Sequence, residues 1–180
     1  MAIKTDGSLW TWGQFGYGID GRNSFAWPYW KRSSPAQLGT DTTWDQVCKL
    51  GQYTAAAIKN DNTLWVWGAG GDGKLGLNAP GTYSSPVQLS GTNWAKVQSI
   101  GGSYAFGATK TDGTMWFWGR PVVGSFGNNE GGYPSLYFSS PTQLPGSWHP
   151  TNWNGSANAE CAVQAMKADG TLWAWGENSY

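Results

Sequence analysis

Short apolar strands recur at four places in the chain, each directly after a turn signal. A twelve-residue block reads AIKTDGSLWTWG from Ala2, and close copies of it begin at Ala57, Ala108 and Ala165. Side chains along a strand alternate between the two faces of a sheet, so the two tryptophans of each block share one face. In the second copy, residues 64–67 read LWVW and are apolar on both faces. Such a strand must be covered on both sides, which a small sheet stacked between two similar sheets achieves.

Each block also contains a two-residue turn signal between two strands. Type I′ turns need positive φ at both central residues, which Asp, Asn and Gly accept at low cost. We therefore predict four β-hairpins with two-residue loops, in which the recurring Asp serves backbone geometry rather than acid–base catalysis. The predicted turns are Asp6-Gly7, Asp61-Asn62, Asp112-Gly113 and Asp169-Gly170. The predicted repeat core is Trp10, Trp12, Trp65, Trp67, Trp116, Trp118, Trp173 and Trp175.

Two further segments repeat with the hairpins. The motif SSPxQL begins at Ser33, Ser84 and Ser139, and its Pro suits a strand start or a sheet edge. A Trp-x-x-Val segment begins at Trp44 and Trp94, with a looser copy at Trp153. With the small-residue strand before each turn, the unit has about four short strands in 51 to 57 residues. That is the size of one propeller blade, and no helical periodicity competes with it.

The order of these segments resembles the repeat of the regulator of chromosome condensation family, in its Trp-rich bacterial and phage-type version. A Gly at Gly51 or Gly102 precedes a small-residue strand and then Lys-x-Asp-Gly-Thr-Leu-Trp-x-Trp-Gly. Residues 73–76, GKLG, resemble the turn that follows in the family, and residues 176–180 resemble its opening. The resemblance implies an all-β fold, a β-propeller that is usually seven-bladed.

The repeat count predicts an arc rather than a closed ring. We assign one repeat domain over residues 1–180, with a half unit over 1–32 and units over about 33–83, 84–138 and 139–180. Four hairpins but three copies of each other segment make about three and a half four-stranded antiparallel blades. An open arc leaves two blade faces bare, so we expect a second copy of the chain or another protein to complete it. A closed four-bladed monomer is the weaker alternative.

Composition narrows the classes of partner. Eleven Lys and Arg balance eleven Asp and Glu, so no basic surface attracts nucleic acid. No apolar run approaches the roughly 18 residues that insertion into a membrane requires. No signal peptide is visible, so we expect synthesis in a cytoplasm, with a virion or the extracellular space after lysis as the possible destination. Cys48 and Cys161 are expected to be free thiols.

Candidate chemistry is sparse, and binding is the better hypothesis. No catalytic or metal-binding constellation and no cofactor motif appear, and the lone His149 lacks a second ligand nearby. We predict a non-enzymatic structural or interaction module of a virion or surface assembly. The alternative is a glycan-binding propeller, and an exchange factor for a small GTPase is less favoured. The aromatic residues proposed to contact a ligand or partner are Trp27, Tyr29, Trp30, Tyr133, Tyr137 and Trp148.

Overall fold

The chain forms four antiparallel sheets that stack along an arc, which we call blades 1 to 4. The computed structural model describes residues 1–23, 30–51, 53–100, 104–122, 124–128, 137–155 and 162–176. Blade 1 contains β1 (Ala2–Ile3), β2 (Leu9–Phe15) and β3 (Trp30–Gln37). Blade 2 contains β4 (Trp44–Leu50), β5 (Thr54–Lys59), β6 (Leu64–Ala69) and β7 (Thr82–Gln88). Blade 3 contains β8 (Trp94–Ile100), β9 (Ala105–Lys110), β10 (Met115–Gly119) and β11 (Phe138–Leu144), and blade 4 contains β12 (Trp148–Gly155), β13 (Val163–Lys167) and β14 (Leu172–Trp175).

The strands of each blade follow one another in space as they do in sequence. Blades 2 and 3 have four strands, and the two end blades have three each within the described residues. The first strand of blade 3 contacts the first strands of blades 2 and 4, so these strands lie on the inner side of the arc. The all-β propeller arc predicted from the repeats is therefore confirmed. One 3₁₀ turn, over Gly71–Gly73, interrupts the connection between β6 and β7.

Each SSPxQL strand belongs to the blade of the hairpin that precedes it. In blade 2, for example, Val66 of β6 pairs with Val87 of β7. The blades are therefore out of phase with the sequence units, which begin at this motif. Because the motif forms the outermost strand, its Pro lies at a sheet edge, where a missing N–H is tolerated.

The hairpin loops have three residues rather than two, so the predicted type I′ turns are wrong. In blade 2, Lys59 and Thr63 close the loop: the Lys59 N–H donates to the Thr63 carbonyl (3.0 Å), and the Asn62 N–H donates to the Lys59 carbonyl (2.9 Å). A type I turn followed by one left-handed residue has this pattern. Positive φ accordingly occurs at the third loop residue and not at the Asp: Gly7 (79°), Asn62 (62°), Gly113 (83°) and Gly170 (86°).

Among the described residues, three apolar clusters form the core, and each lies between two consecutive blades. Between blades 2 and 3, Leu64 and Val66 pack in one cluster with Phe106 and Trp118. Similar clusters lie between blades 1 and 2 and between blades 3 and 4. The expectation that the hairpin strands are covered on both faces is thus confirmed for the two central blades. Within the described part of the chain, no helix is long and apolar enough to cross a membrane.

Candidate functional site

The recurring Asp residues belong to local hydrogen-bond networks at the hairpin tips. Asp112 Oδ1 accepts hydrogen bonds from the Thr114 amide (2.9 Å) and hydroxyl (2.7 Å), and the Thr114 Oγ1 accepts one from Trp116 Nε1 (2.9 Å). The Lys110 ammonium lies 4.9 Å from the Trp116 ring centroid. These hydrogen bonds, the hydroxyl's first, lower the pKa of the Asp112 carboxyl. The other three tips repeat the network at Asp6, Asp61 and Asp169.

In blades 2 to 4, the second tryptophan of the block lies against a loop of the preceding blade. Trp67 and Trp118 are both completely buried. The Trp67 indole N–H donates to the Ile19 carbonyl (2.9 Å), and the Trp118 indole N–H donates to the Lys74 carbonyl (3.0 Å). Trp175 does the same with the Ser125 carbonyl (3.0 Å). Each indole N–H therefore donates to a main-chain carbonyl of the loop, and this bond does not depend on the side chain of the loop residue.

These loops share one short motif, Gly-x-x-Gly, which we call the clasp loop. It spans residues 18–21, 73–76 and 124–127. In each copy the last glycine donates its N–H to the carbonyl of the first, at 2.9 to 3.0 Å, and both glycines have φ between 65° and 73°. A Cβ on the last glycine would lie 2.9 Å from Trp118 in the second copy and 2.9 Å from Trp175 in the third. Glycine therefore lets the backbone lie flat on the indole.

The clasp loop makes a second contact, to the outer strand of the next blade. The Asn23 N–H donates to the Ser84 carbonyl (2.7 Å), and the Ser84 hydroxyl donates to Asn23 Oδ1 (3.2 Å). Asn78 and Ser139 repeat both bonds, at 2.7 Å and 3.0 Å. Each Asn lies two residues after its clasp loop and has positive φ, and each Ser is the first residue of an SSPxQL motif. Two contacts thus fix blade 1 on blade 2 and blade 2 on blade 3.

Both ends of the arc expose positions that the central blades bury. On blade 1, which we call the leading face, Trp12 is 40% exposed, although Trp67 and Trp118 are buried. On blade 4, the trailing face, Leu172 is 72% exposed and Ala174 is exposed, although Val66 and Phe117 at the position of Ala174 are buried. Of the eight predicted core tryptophans, Trp67 and Trp118 are buried, Trp10, Trp65, Trp116 and Trp175 are half-buried, and Trp12 and Trp173 are exposed.

Trp148 is a core residue, so its prediction as a ligand or partner contact is wrong. It is 4% exposed and packs against the rings of Trp173 and Trp175. Its backbone N–H donates to the Gly113 carbonyl (2.8 Å), as the backbone N–H of Trp44 does to the Gly7 carbonyl. Trp148 is therefore the third copy of the strand-initiating Trp, and Trp153 is not.

An irregular segment hid this repeat from the sequence. Trp148 pairs with Lys167 and Trp153 pairs with Ala165, so the four residues between them form a bulge in β12. The His149 Nδ1 accepts hydrogen bonds from the amides of Thr151 (3.3 Å) and Asn152 (3.1 Å), which holds the bulge. His149 thus has a structural role.

The loop aromatics are only partly placed. Tyr137 is 57% exposed, whereas Trp27, Tyr29, Tyr133 and the side chain of Trp30 lie outside the described residues. Sequence reasoning missed two other exposed tyrosines on connecting segments, Tyr17 and Tyr104, which are 49% and 37% exposed. The Arg120 guanidinium lies 4.0 Å from the Tyr104 ring centroid. Tyr104 precedes a buried strand, which gave no signal of exposure.

A groove of about 610 Å³ runs along the inner strands of blades 2 to 4. Its polar lining is largely engaged: Lys96 donates to the Thr151 carbonyl (2.9 Å), and Gln98 accepts from the Gly155 amide (2.9 Å). Cys48 is a free thiol, and burial raises its pKa to about 11. Among the residues described, no group of three His, Cys, Asp or Glu is arranged to hold a metal ion.

Comparison with known proteins shows which repeat family the sequence resembles. The model of the regulator of chromosome condensation (RCC1) repeat matches residues 61–108. The human E3 ubiquitin-protein ligase HERC2 is 27% identical over 182 residues, which cover 98% of this chain and 4% of that protein. The mitochondrial RCC1 domain-containing protein RUG3 of Arabidopsis thaliana is 28% identical over 121 residues, or 67% of this chain and 26% of that protein.

Solved structures agree on the fold. Human WBSCR16 superposes with a TM-score of 0.70 at 20% identity, over 89% of this chain and 40% of its own. Prp20p of Saccharomyces cerevisiae superposes with a TM-score of 0.74 at 16% identity, over 99% of this chain and 41% of its own. The chain thus spans less than half the length of the proteins that it resembles. Residues 61–108 thus match one RCC1 repeat, and the chain as a whole shares the propeller fold of RCC1 structures.

Proposed function

We propose that the chain is a non-enzymatic protein-interaction module, a stretch of RCC1-type propeller that joins further protein through its two open blade faces. One observation carries the proposal. Leu172 is 72% exposed, whereas Leu9, Leu64 and Met115 at the same repeat position are completely buried. The trailing face thus carries an apolar residue where the other blades bury one against the next blade.

The free energy available at these faces supports association. A Trp side chain buries roughly 150–250 Å², and apolar area stabilises by about 25 cal/mol per Å². Covering the exposed 40% of Trp12 therefore contributes about 1.5–2.5 kcal/mol gross. Leu172 on the trailing face, 72% exposed, adds about 1–2 kcal/mol. Together the two faces offer a sizeable share of the roughly 5–15 kcal/mol by which domains are stable.

Structural relatives give the fold a precedent for protein partners. One solved structure holds yeast RCC1 (Prp20) bound to Kap60, and another study of Prp20p concerns its binding to Gsp1p and histones. Those partners are properties of that protein. For this chain they support the class of function, binding of protein by a propeller, and not the identity of the partner.

The occupant of the open faces is a second copy of the chain or a different protein. The chain has eleven basic and eleven acidic residues, so its net charge favours neither a second copy nor a different protein. A place in a virion or a surface assembly, and the bacterial or phage-type origin, stay predictions from the sequence.

Light scattering combined with a hydrophobic dye tests the proposal. We expect the full chain either to exceed one chain mass at high concentration or, as a monomer, to bind the dye. Leu172→Lys should lower the association or the dye signal. Tyr137→Lys, a matched change at an aromatic residue that is 57% exposed away from the blade faces, should leave both unchanged. A monomer at every concentration that binds no dye would exclude the proposal.

A glycan-binding role is the second candidate, and the exposed Tyr17 and Tyr137 favour it because tyrosine rings stack on sugars. A multivalent glycan array tests it, with Tyr137→Ser as the variant that should lose binding. Absence of binding at high valency would end this candidate. Nucleotide exchange on a small GTPase stays a prediction, and a nucleotide-release assay would test it.

A further inference from the structure

The leading face of blade 1 repeats a surface whose occupant is visible elsewhere in the same chain. Trp67 and Trp118 each carry a clasp loop of the preceding blade, with a backbone carbonyl on the indole N–H and a glycine on the ring. We propose that the leading face is a docking site for a Gly-x-x-Gly-x-Asn loop of a further blade, with Trp12 and Ser33 as its two receptors. This inference rests on the proposed function and names the partner of one of its two faces.

The backbone of blade 1 presents Trp12 as the central blades present their counterparts. The strand register shifts between Thr11 and Gly13, as it shifts between Val66 and Gly68 in blade 2. Gly13 and Gly68 have φ of 104° and 97°. The same irregularity therefore flanks the second Trp in both blades, and blade 1 is built to receive the same loop.

The second receptor is also in place and open. Ser33 opens the SSPxQL motif of β3, as Ser84 and Ser139 open theirs on β7 and β11. Those two serines bind the Asn that follows a clasp loop. Ser33 is exposed. Loop and blade would thus meet at two points, which fixes the register of the junction.

The geometry selects a glycine loop over a general apolar partner. Trp12 has an indole N–H that requires an acceptor once water is excluded. The flat approach to the ring requires a residue without Cβ, because a Cβ would lie 2.9 Å from the indole at the Trp118 copy. The three clasp loops of this chain all contact its own following blades, at Trp67, Trp118 and Trp175. The occupant is therefore a clasp loop from a blade other than these four.

An extended chain tests the docking site directly. A copy of residues 57–107 is placed before Ala2 of the full chain, so that the added clasp loop stands ahead of Trp12 as the native one stands ahead of Trp118. Tryptophan oxidation is then followed residue by residue by mass spectrometry. We expect Trp12 to lose its reactivity and match the buried Trp118, while Trp173 stays reactive as an internal reference.

The matched control carries Gly76→Val in the added copy alone, and Trp12 should stay reactive in it. A cyclic peptide with the sequence of residues 73–78 provides a second measurement on the unextended chain, which is independent of the folding of an added blade. It should slow oxidation of Trp12, and the peptide with Val at the last glycine should not. If Trp12 keeps its full reactivity in both experiments, the docking inference is overturned.

The outcomes separate this inference from the proposed function. If the unextended chain is monomeric and binds no hydrophobic dye, the proposed function is excluded, whatever the result with the extended chain. A Trp12 that stays fully reactive in both the extended chain and the peptide experiment would end the docking inference and leave association through Leu172 standing.

Discussion

At the residue scale, polar side chains in this molecule mainly hold the backbone of turns and loops in place through hydrogen bonds. Asp41 is an example outside the hairpin tips: its Oδ1 accepts from the Thr43 amide (2.9 Å) and hydroxyl (2.6 Å), and its Oδ2 lies 2.7 Å from Lys59 Nζ. Partial burial acts to raise the pKa of Asp41, but the bonds from Lys59 and Thr43 outweigh it and hold the pKa at about 2. This carboxylate therefore links the blade 1–2 connection to the hairpin of blade 2.

The lowered pKa of Asp41 predicts a specific loss of stability in acid. Because the folded protein binds the proton more weakly than the unfolded chain, whose ordinary value is 3.8, the contribution is complete above that value. It is lost as the pH falls from about 4 to about 2. The midpoint of urea unfolding measured across this range should fall more steeply for the parent than for Asp41→Asn. Parallel slopes would contradict the assignment.

The glycines of the clasp loop predict a position-specific cost. Gly73 has φ of 71°, and a Cβ there would lie 2.6 Å from the Phe138 carbonyl oxygen. Gly73→Ala should therefore lower the free energy of unfolding by about 2 kcal/mol, since the left-handed backbone alone costs about 1–2 kcal/mol. Gly71→Ala, two residues away with nothing within 4 Å, should change it by less than about 0.5 kcal/mol. Equal effects in urea unfolding would refute this account.

The sequence was informative at this scale where a contact is local. The hairpins were predictable from Asp and Gly, but the loop length was not, because Asp tolerates the left-handed region and a two-residue loop fits the same letters. The clasp loop was seen once, at residues 73–76. Its other copies also begin six residues after the second Trp, so the spacing alone could have revealed them.

At the element scale, the blade is defined by what lies on its two faces. The strand alternation predicted that both faces of β6 and β10 are covered, and the cores between blades bear this out. The residue at which each blade begins was not predictable, because the order of repeated segments along a chain does not show which segments share one sheet. The copy at Trp148 was missed because a bulge of four residues separates it from Trp153. Trp153 takes the position that Val47 and Val97 have in the other blades, so the Trp-x-x-Val spacing is lost.

The same substitution at equivalent positions should have unequal costs. Trp118 is completely buried and Trp12 is 40% exposed, although both are the second Trp of a block. Trp118→Ala should lower the free energy of unfolding by about 3–5 kcal/mol, the usual cost of a large cavity in a core. Trp12→Ala should lower it by about 2 kcal/mol or less, because much of its ring is already in water. Urea unfolding measures both, and a larger cost at Trp12 would show that its face is covered.

At the scale of the whole molecule, stability accumulates along a line. Each cluster of the core joins two neighbouring blades, so a central blade is held from two sides and an end blade from one. In repeat proteins of this kind, stability approximates a sum of unit and nearest-neighbour terms. The ends of the arc should therefore open more often than its middle.

Hydrogen exchange should resolve this gradient. Amides of β5, β6, β9 and β10 in the two central blades should exchange most slowly, and those of β13 and β14 in blade 4 should exchange faster. Mass spectrometry of peptide fragments measures both in one experiment on the full chain. Uniform protection along the arc would indicate that the end blades are covered in solution, and slower exchange at blade 4 would contradict the additive picture.

The clasp loop has a consequence for how such proteins change in length. The residues between its glycines differ in every copy, Ile19-Asp20, Lys74-Leu75 and Ser125-Phe126, while the bond to the indole uses main-chain oxygen. The hydrogen-bonded half of this junction therefore does not depend on side-chain identity, whereas Ile19, Leu75 and Phe126 are buried in the cores between blades. Duplication of a single genetic unit then keeps the bond to the indole at once, and later substitutions need to adjust only the packing around one apolar side chain.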